Sequence, residues 1–102
     1  MSFNVRCAPA NDGINNWANR RELCLKTIRD WKPDLLGTQE AVETQYEALV
    51  AGLPEMQIVG VARDDGKRKG EWSALLFRPD RFELIDSGTF WLSETPDVPG
   101  SR

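Results

Sequence analysis

Asp34-Leu35-Leu36-Gly37-Thr38-Gln39-Glu40 reads as a short buried strand that begins apolar and runs out into a polar end, and the stretches on either side take their meaning from it. Upstream, Asn16 is a helix cap. Cys24, Leu25, Ile28 and Trp31 recur at helical spacing, Arg20, Arg21, Glu22, Lys26, Arg29 and Asp30 fill the rest of the wheel, and Lys32-Pro33 ends the helix. Downstream, a second helix is predicted from about Val42 to Ala51, with Val42, Tyr46, Leu49 and Val50 on one side and Gly52 and Pro54 as stop signals. Ahead of both helices lies Phe3-Asn4-Val5-Arg6-Cys7, a predicted strand that sends Phe3, Val5 and Cys7 to one face and Asn4 and Arg6 to the other. The loop APANDGINN, with its Asn11-Asp12-Gly13 turn, joins it to the first helix. Further strands are predicted at Met56 to Ala62, Trp72 to Phe77 and Phe82 to Leu92, the last broken near Ser87-Gly88 and joined to its predecessor by the Arg78-Pro79-Asp80-Arg81 turn. Strand-helix-strand-helix followed by antiparallel strands is the pattern of a mixed α/β sheet.

The 102 residues fit one domain or a piece of one. With 40% hydrophobic and 28% charged residues and a net charge of -3, the composition is that of an ordinary globular chain, neither disordered nor membrane-spanning. No apolar run approaches the ~20 residues of a spanning helix, and the amino terminus lacks a signal-peptide layout, so the chain is expected in the cytoplasm. The acidic balance offers no bulk attraction to nucleic acid or anionic lipid. The one compact basic run, Lys67-Arg68-Lys69, sits in DDGKRKGE with acids on both sides and reads as a solvated turn. Cys7 and Cys24 are too few and too far apart for a zinc motif, and both read as buried thiols.

In an alternating α/β arrangement chemistry collects where loops leave strand ends, and Asn4 and Glu40 are placed there. A carboxylate and an amide oxygen are hard donors suited to magnesium or manganese. The bland alternative for each is a solvated strand end.

Read together, MSFNVR, Trp17-Ala-Asn-Arg20, PDLLGTQEA, VGVARDDGKRKGEWSALLFRPDRFEL and DSGTFWLSETPD, in this order, resemble the amino-terminal part of the endonuclease/exonuclease/phosphatase family, whose fold is the four-layered, DNase I-like α/β sandwich. SFNVR and GTQE resemble its first two motifs, GEWSALLFR resembles a later strand, and SGTFWLSETPD resembles the mark of a bacterial branch. The resemblance implies a phosphoesterase dependent on Mg2+ or Mn2+. Glu40 would bind the ion, Asn4 would hold a ligand, a water or the ion itself, and Arg6 would brace a carboxylate or contact phosphate. The substrate class, among nucleic acids, nucleotides, inositol phosphates and lipids, stays open. The family's later motifs, which supply histidines and a G-D-x-N turn, have no counterpart in a chain without histidine. Residues 1–102 are therefore expected to be the amino-terminal portion of one domain, inactive alone and prone to self-association through apolar surface. The rival reading is a non-catalytic half-domain, either an interaction module or an artefact of gene prediction.

The remaining candidates each carry two readings. Glu71 lines a phosphate pocket or balances Lys67, Arg68 and Lys69. Arg63 touches substrate or belongs to the turn before Gly66, and Arg20 serves the cleft mouth or the packing of the helix. Trp17 is read as a packing residue and Trp91 as core rather than a stacking platform, because Phe90 and Leu92 flank it in a strand pattern.

Overall fold

The computed structural model describes every residue from Met1 to Arg102. Strands β1 (Ser2–Asn4), β2 (Leu35–Gln39), β3 (Gln57–Val59) and β4 (Leu75–Phe77) form one mixed sheet in the order β1-β2-β4-β3, with α1 (Trp17–Trp31) and α2 (Glu43–Gly52) in the connections. β1 and β2 run parallel across the α1 crossover, and β4 is antiparallel to both of its neighbours. This is the α/β arrangement with a mixed sheet and two helices expected from the sequence.

The local signals for α1 act as read. Asn16 caps it, its side chain accepting the Asn19 N–H at 3.2 Å, and Lys32 closes it in the left-handed region at φ 46° just before Pro33. Cys24, Leu25 and Ile28 turn inward and meet Leu36, Ala74 and Leu76 from the sheet and Leu49 and Leu53 from the α2 end. Each fully buried Leu or Ile contributes on the order of 1.5–3 kcal/mol. Gly52 lets the helices approach closely, since a Cβ there would stand 2.7 Å from the Leu25 side chain.

Both helices lie on one face, and the molecule is a slab of 39 × 38 × 18 Å, the thickness of a sheet plus a single helical layer. Alternation along the strands separates the two sides. Leu36, Thr38, Ala74 and Leu76 are buried under the helices, whereas Leu35 and Leu75, on the opposite face, are 53% and 59% exposed.

Several expectations change. β1 ends at Asn4 rather than Cys7, because Arg6 adopts φ 55° and leaves the ladder. Trp31 and Val50 are exposed; on α2 Leu49 is buried as expected, Gln45 joins it in place of Val50, and Tyr46 is half-buried and stacked on Trp72 at 4.0 Å. The 82–92 stretch forms no strand: its composition suits one, but no neighbouring strand pairs with it, and its backbone bonds are local ones, from the Phe82 N–H to the Arg78 carbonyl, from the Trp91 N–H to the Pro96 carbonyl and from the Ser93 N–H to the Trp91 carbonyl. Cys7 is half-buried and only Cys24 fully so.

Candidate functional site at the polar end of the sheet

The polar end of the exposed sheet face is built by a break in the ladder. Leu36 pairs with Leu76 and Gly37 with Leu75, so an unbroken β2–β4 pairing would set Glu40 opposite Trp72 and turn it under the helices with Leu36 and Thr38. Instead Ala41 pairs with Trp72, leaving Gln39 and Glu40 together opposite Ser73. This is a β-bulge, and Glu40 sits in it at φ 63°, a conformation that costs a residue with a Cβ on the order of 1–3 kcal/mol. Ala41 takes the buried place and the Glu40 carboxylate comes out on the open face.

There it meets Asn4 on the neighbouring parallel strand. Asn4 Nδ2 donates to Glu40 Oε1 at 2.9 Å, the Cys7 N–H donates to Oε2 at 3.3 Å, and Asn4 Oδ1 accepts the Arg6 N–H at 2.8 Å. The last bond is an Asx turn and fixes which way the amide faces: flipping it would set two donors against each other. The Asn4 bond, followed by the Cys7 N–H, holds the Glu40 carboxyl below the ordinary glutamate range.

Arg6 does not share the Asn4 face as strand alternation predicts. Its left-handed backbone swings the guanidinium to Asp12, with Nε to Oδ2 at 3.1 Å and Nη2 to Oδ1 at 3.0 Å. The pairing raises the guanidinium pKa and lowers that of the carboxyl. Arg6 therefore braces a carboxylate, and the carboxylate is Asp12. Arg20 is committed to backbone: Nη1 bonds the Val5 carbonyl, Nη2 the Arg6 carbonyl at 2.6 Å and Nε the Asn15 carbonyl at 2.9 Å, while its guanidinium lies 5.3 Å from the ring of the buried Trp17. It anchors the β1 exit loop to α1.

Arg63 and Glu71 are brought together away from Asn4, on the ribbon that prolongs the β3–β4 pairing. That pairing keeps one register through Val59 with Leu75 and Ala62 with Trp72, which sets Val61 opposite Ser73 and Arg63 opposite Glu71. Arg63 Nη1 lies 3.3 Å from Glu71 Oε2. Lys67-Arg68-Lys69 at the ribbon tip is exposed, with Arg68 bonded to Glu43 and Glu47 of α2 and Asp65 Oδ1 accepting the Lys67 and Lys69 N–H groups.

Sequence reasoning missed Gln45. It is fully buried; its Oε1 accepts the Ala8 N–H at 2.9 Å and the Val42 N–H at 3.2 Å, and its Nε2 donates to the Arg6 carbonyl at 2.8 Å. It ties the β1 exit loop to the start of α2, and a glutamine three residues after a cap position is the signal that marks it. Trp91 is not core: it is half-exposed, its indole N–H donates to the Arg63 carbonyl at 2.6 Å, and Phe90 and Leu92 beside it are 70% and 89% exposed.

A mixed four-stranded sheet with two helices on one face defines the class, a layered α/β fold, and at its polar end a strand-end carboxylate is held by a neighbouring amide. The chain belongs to the endonuclease/exonuclease/phosphatase family. It superposes on the endonuclease/exonuclease/phosphatase from Bacteroides vulgatus with a TM-score of 0.94 and 44% identity, over 99% of this chain and 39% of that one. A mannosyl-6-phosphatase from Bacteroides thetaiotaomicron matches with a TM-score of 0.89 and 41% identity, over 96% of this chain and 38% of that one. A humanized D. rerio TDP2, 17% identical with a TM-score of 0.71 over 92% of this chain and 36% of that one, shares the fold. The chain thus spans under two fifths of the length of these structures. No protein-family model and no curated protein matches it.

Proposed function

We propose that this chain carries the ion-holding strand ends of a magnesium- or manganese-dependent phosphoesterase. The observation that carries the proposal is the outward Glu40 carboxylate, presented by a strained bulge and oriented by Asn4 and the Cys7 N–H. The donor set fits such an ion: Glu40 keeps unshared lone pairs on both oxygens, Asn4 Oδ1 keeps one, and all are hard donors. No cluster of three or more acidic, histidine or cysteine side chains forms in the chain; one carboxylate and one amide oxygen are still a donor set magnesium can use, since it keeps several waters and takes only one or two carboxylates.

Bound there, the ion would stabilise charge on phosphoryl oxygens and orient the ester. The chain's own residues would do the rest. Glu40 holds the ion, Asn4 and the Cys7 amide fix that carboxylate, and Arg6, Asp12, Arg20 and Gln45 keep the β1 exit loop in place. The chain has no histidine, so no imidazole among its residues moves a proton. Likeness to a mannosyl-6-phosphatase at 41% identity favours a sugar phosphomonoester as the substrate.

Divalent-ion binding tests this. Titrating the labelled chain with Mg2+, and with Mn2+ as a paramagnetic probe, is expected to perturb Glu40, Asn4 and Cys7 with weak affinity and to lose the effect in Glu40→Gln. Binding unchanged in Glu40→Gln would refute the assignment and favour a non-catalytic interaction module.

A further inference from the structure

The ladder that presents Glu40 continues directly into a second feature. Ser73, which faces the bulge, begins the floor of an open cleft of about 430 Å³ whose floor runs on through Val61, Glu71 and Arg63 and whose far wall is Thr89 to Leu92 with Ser101 and Arg102. Ser73 and Glu71 are two residues apart on one strand and share a face, so the Arg63–Glu71 pair lies about 7 Å along the sheet from the residue opposite Glu40. With the further strand spacing of about 4.8 Å between Ser73 and the Glu40 strand, the span from Glu40 to the pair is on the scale of a sugar ring together with the phosphate it bears.

The two sides of the cleft differ in chemistry. The floor offers donors and acceptors together: a guanidinium and a carboxylate 3.3 Å apart, both partly exposed, and the Ser73 hydroxyl. The wall offers an aromatic plane. Trp91 is pinned at two points, its indole N–H on the Arg63 carbonyl at 2.6 Å and its backbone N–H on the Pro96 carbonyl at 2.8 Å, so the indole N–H is spent and the ring contributes only its face. Arg102 is drawn to Asp64, 3.8 Å away, so the wall does not act as a free cationic patch. The lining carries two guanidiniums, Arg63 paired with Glu71 and Arg102 near Asp64, and so offers no run of unpaired cations of the kind that follows a phosphodiester backbone. An aromatic ring anchored beside a mixed hydrogen-bonding floor instead matches a pyranose, apolar on its C–H face and rich in hydroxyls at its edge.

We propose that this cleft binds the carbohydrate ring of a sugar phosphate, with Trp91 as the stacking platform and Arg63, Glu71 and Ser73 as hydroxyl partners, a placement that rests on the phosphoester reading for the site at Glu40.

The test is a two-dimensional amide and indole titration of the 102-residue chain with a methyl hexopyranoside, a hexose 6-phosphate, inorganic phosphate and adenosine. The hexopyranoside, with no phosphate and no metal, is expected to shift the Trp91 indole N–H and the Ser73 amide. Trp91→Ala and Glu71→Gln should each weaken it by about tenfold or more. Glu40→Gln should leave hexopyranoside binding intact while removing the divalent-ion response, so the two readings fail separately. The carbohydrate assignment is overturned if the hexopyranoside shifts neither signal, if adenosine shifts them in its place, or if binding survives both Trp91→Ala and Glu71→Gln.

Discussion

At one end of the open sheet face, Leu35, Val59 and Leu75 make an apolar patch continued by Phe82 and Leu84. At the other end the same strands carry Asn4, Gln39, Glu40, Ser73, Glu71 and Arg63. The backbone pairing that sets the two ends is nearly the same, and the transition takes place within two to four residues of each strand. The apolar end has the composition of a surface built to be covered, whereas the polar end spends backbone strain to bring one carboxylate out of the ladder. Packing explains the first end and cannot explain the second, because a solvated glutamate at a strand terminus gains nothing from a left-handed backbone.

The largest contrast should appear between neighbours on opposite faces. Leu36→Ala, under the helices, is expected to cost about 2–5 kcal/mol, while Leu75→Ala on the open face should stay within about 0.5 kcal/mol in urea denaturation of dilute chain. Equal costs would mean that the apolar end is already covered. A related outcome concerns association: sedimentation should find the chain self-associating, and Leu35→Lys with Leu75→Lys should return it to monomer, whereas Ser73→Lys should not.

A smaller effect sharpens the polar end. Glu40→Gly should be more stable than Glu40→Ala by about 1 kcal/mol, since only glycine occupies φ 63° freely. If alanine is the more stable, the bulge stores no strain. Smaller again is the proton linkage. The folded Glu40 carboxyl titrates below its unfolded value, so its contribution is complete above the ordinary glutamate pKa of about 4.3 and is lost as pH falls through the lowered one. Thermal melts of Glu40→Gln should therefore fall off less steeply in acid than those of the parent chain. The smallest difference lies between the thiols. Cys7, half-buried in the exit loop, should react with a disulfide reagent before Cys24, whose pKa is raised by burial.

Much of this architecture is visible in the residues alone, because it rests on local signals. Asn16 and Lys32-Pro33 bound α1 through capping chemistry, and Asp34 to Glu40, apolar first and polar at its end, marks the strand β2. The errors fall where distant partners decide. Phe3 to Cys7 alternates without interruption, and only the Asn4 side chain folding back on the Arg6 N–H, with Asp12 drawing the guanidinium away, ends β1 early. Neither left-handed residue is glycine or asparagine, so nothing in their type announces the turn. Phe82 to Leu92 has strand composition, yet a strand requires a partner. Asn4 and Glu40 were legible as a pair through family resemblance, since their contact spans 36 positions that no local pattern connects.

The bulge at Glu40 also sets the phase of the segment that leads into α2. Along β2 the odd-numbered residues face outward, past the bulge Ala41 turns inward instead, and α2 starts from that shifted parity with Gln45 and Leu49 turned inward. Removing one residue between Gln39 and Val42 would mend the ladder and rotate α2 by about 100° about its own axis, carrying both side chains off the sheet. The segment should therefore accept exchanges of residue type more readily than a change of length, and among natural or designed variants a single-codon deletion here should be rarer than any substitution.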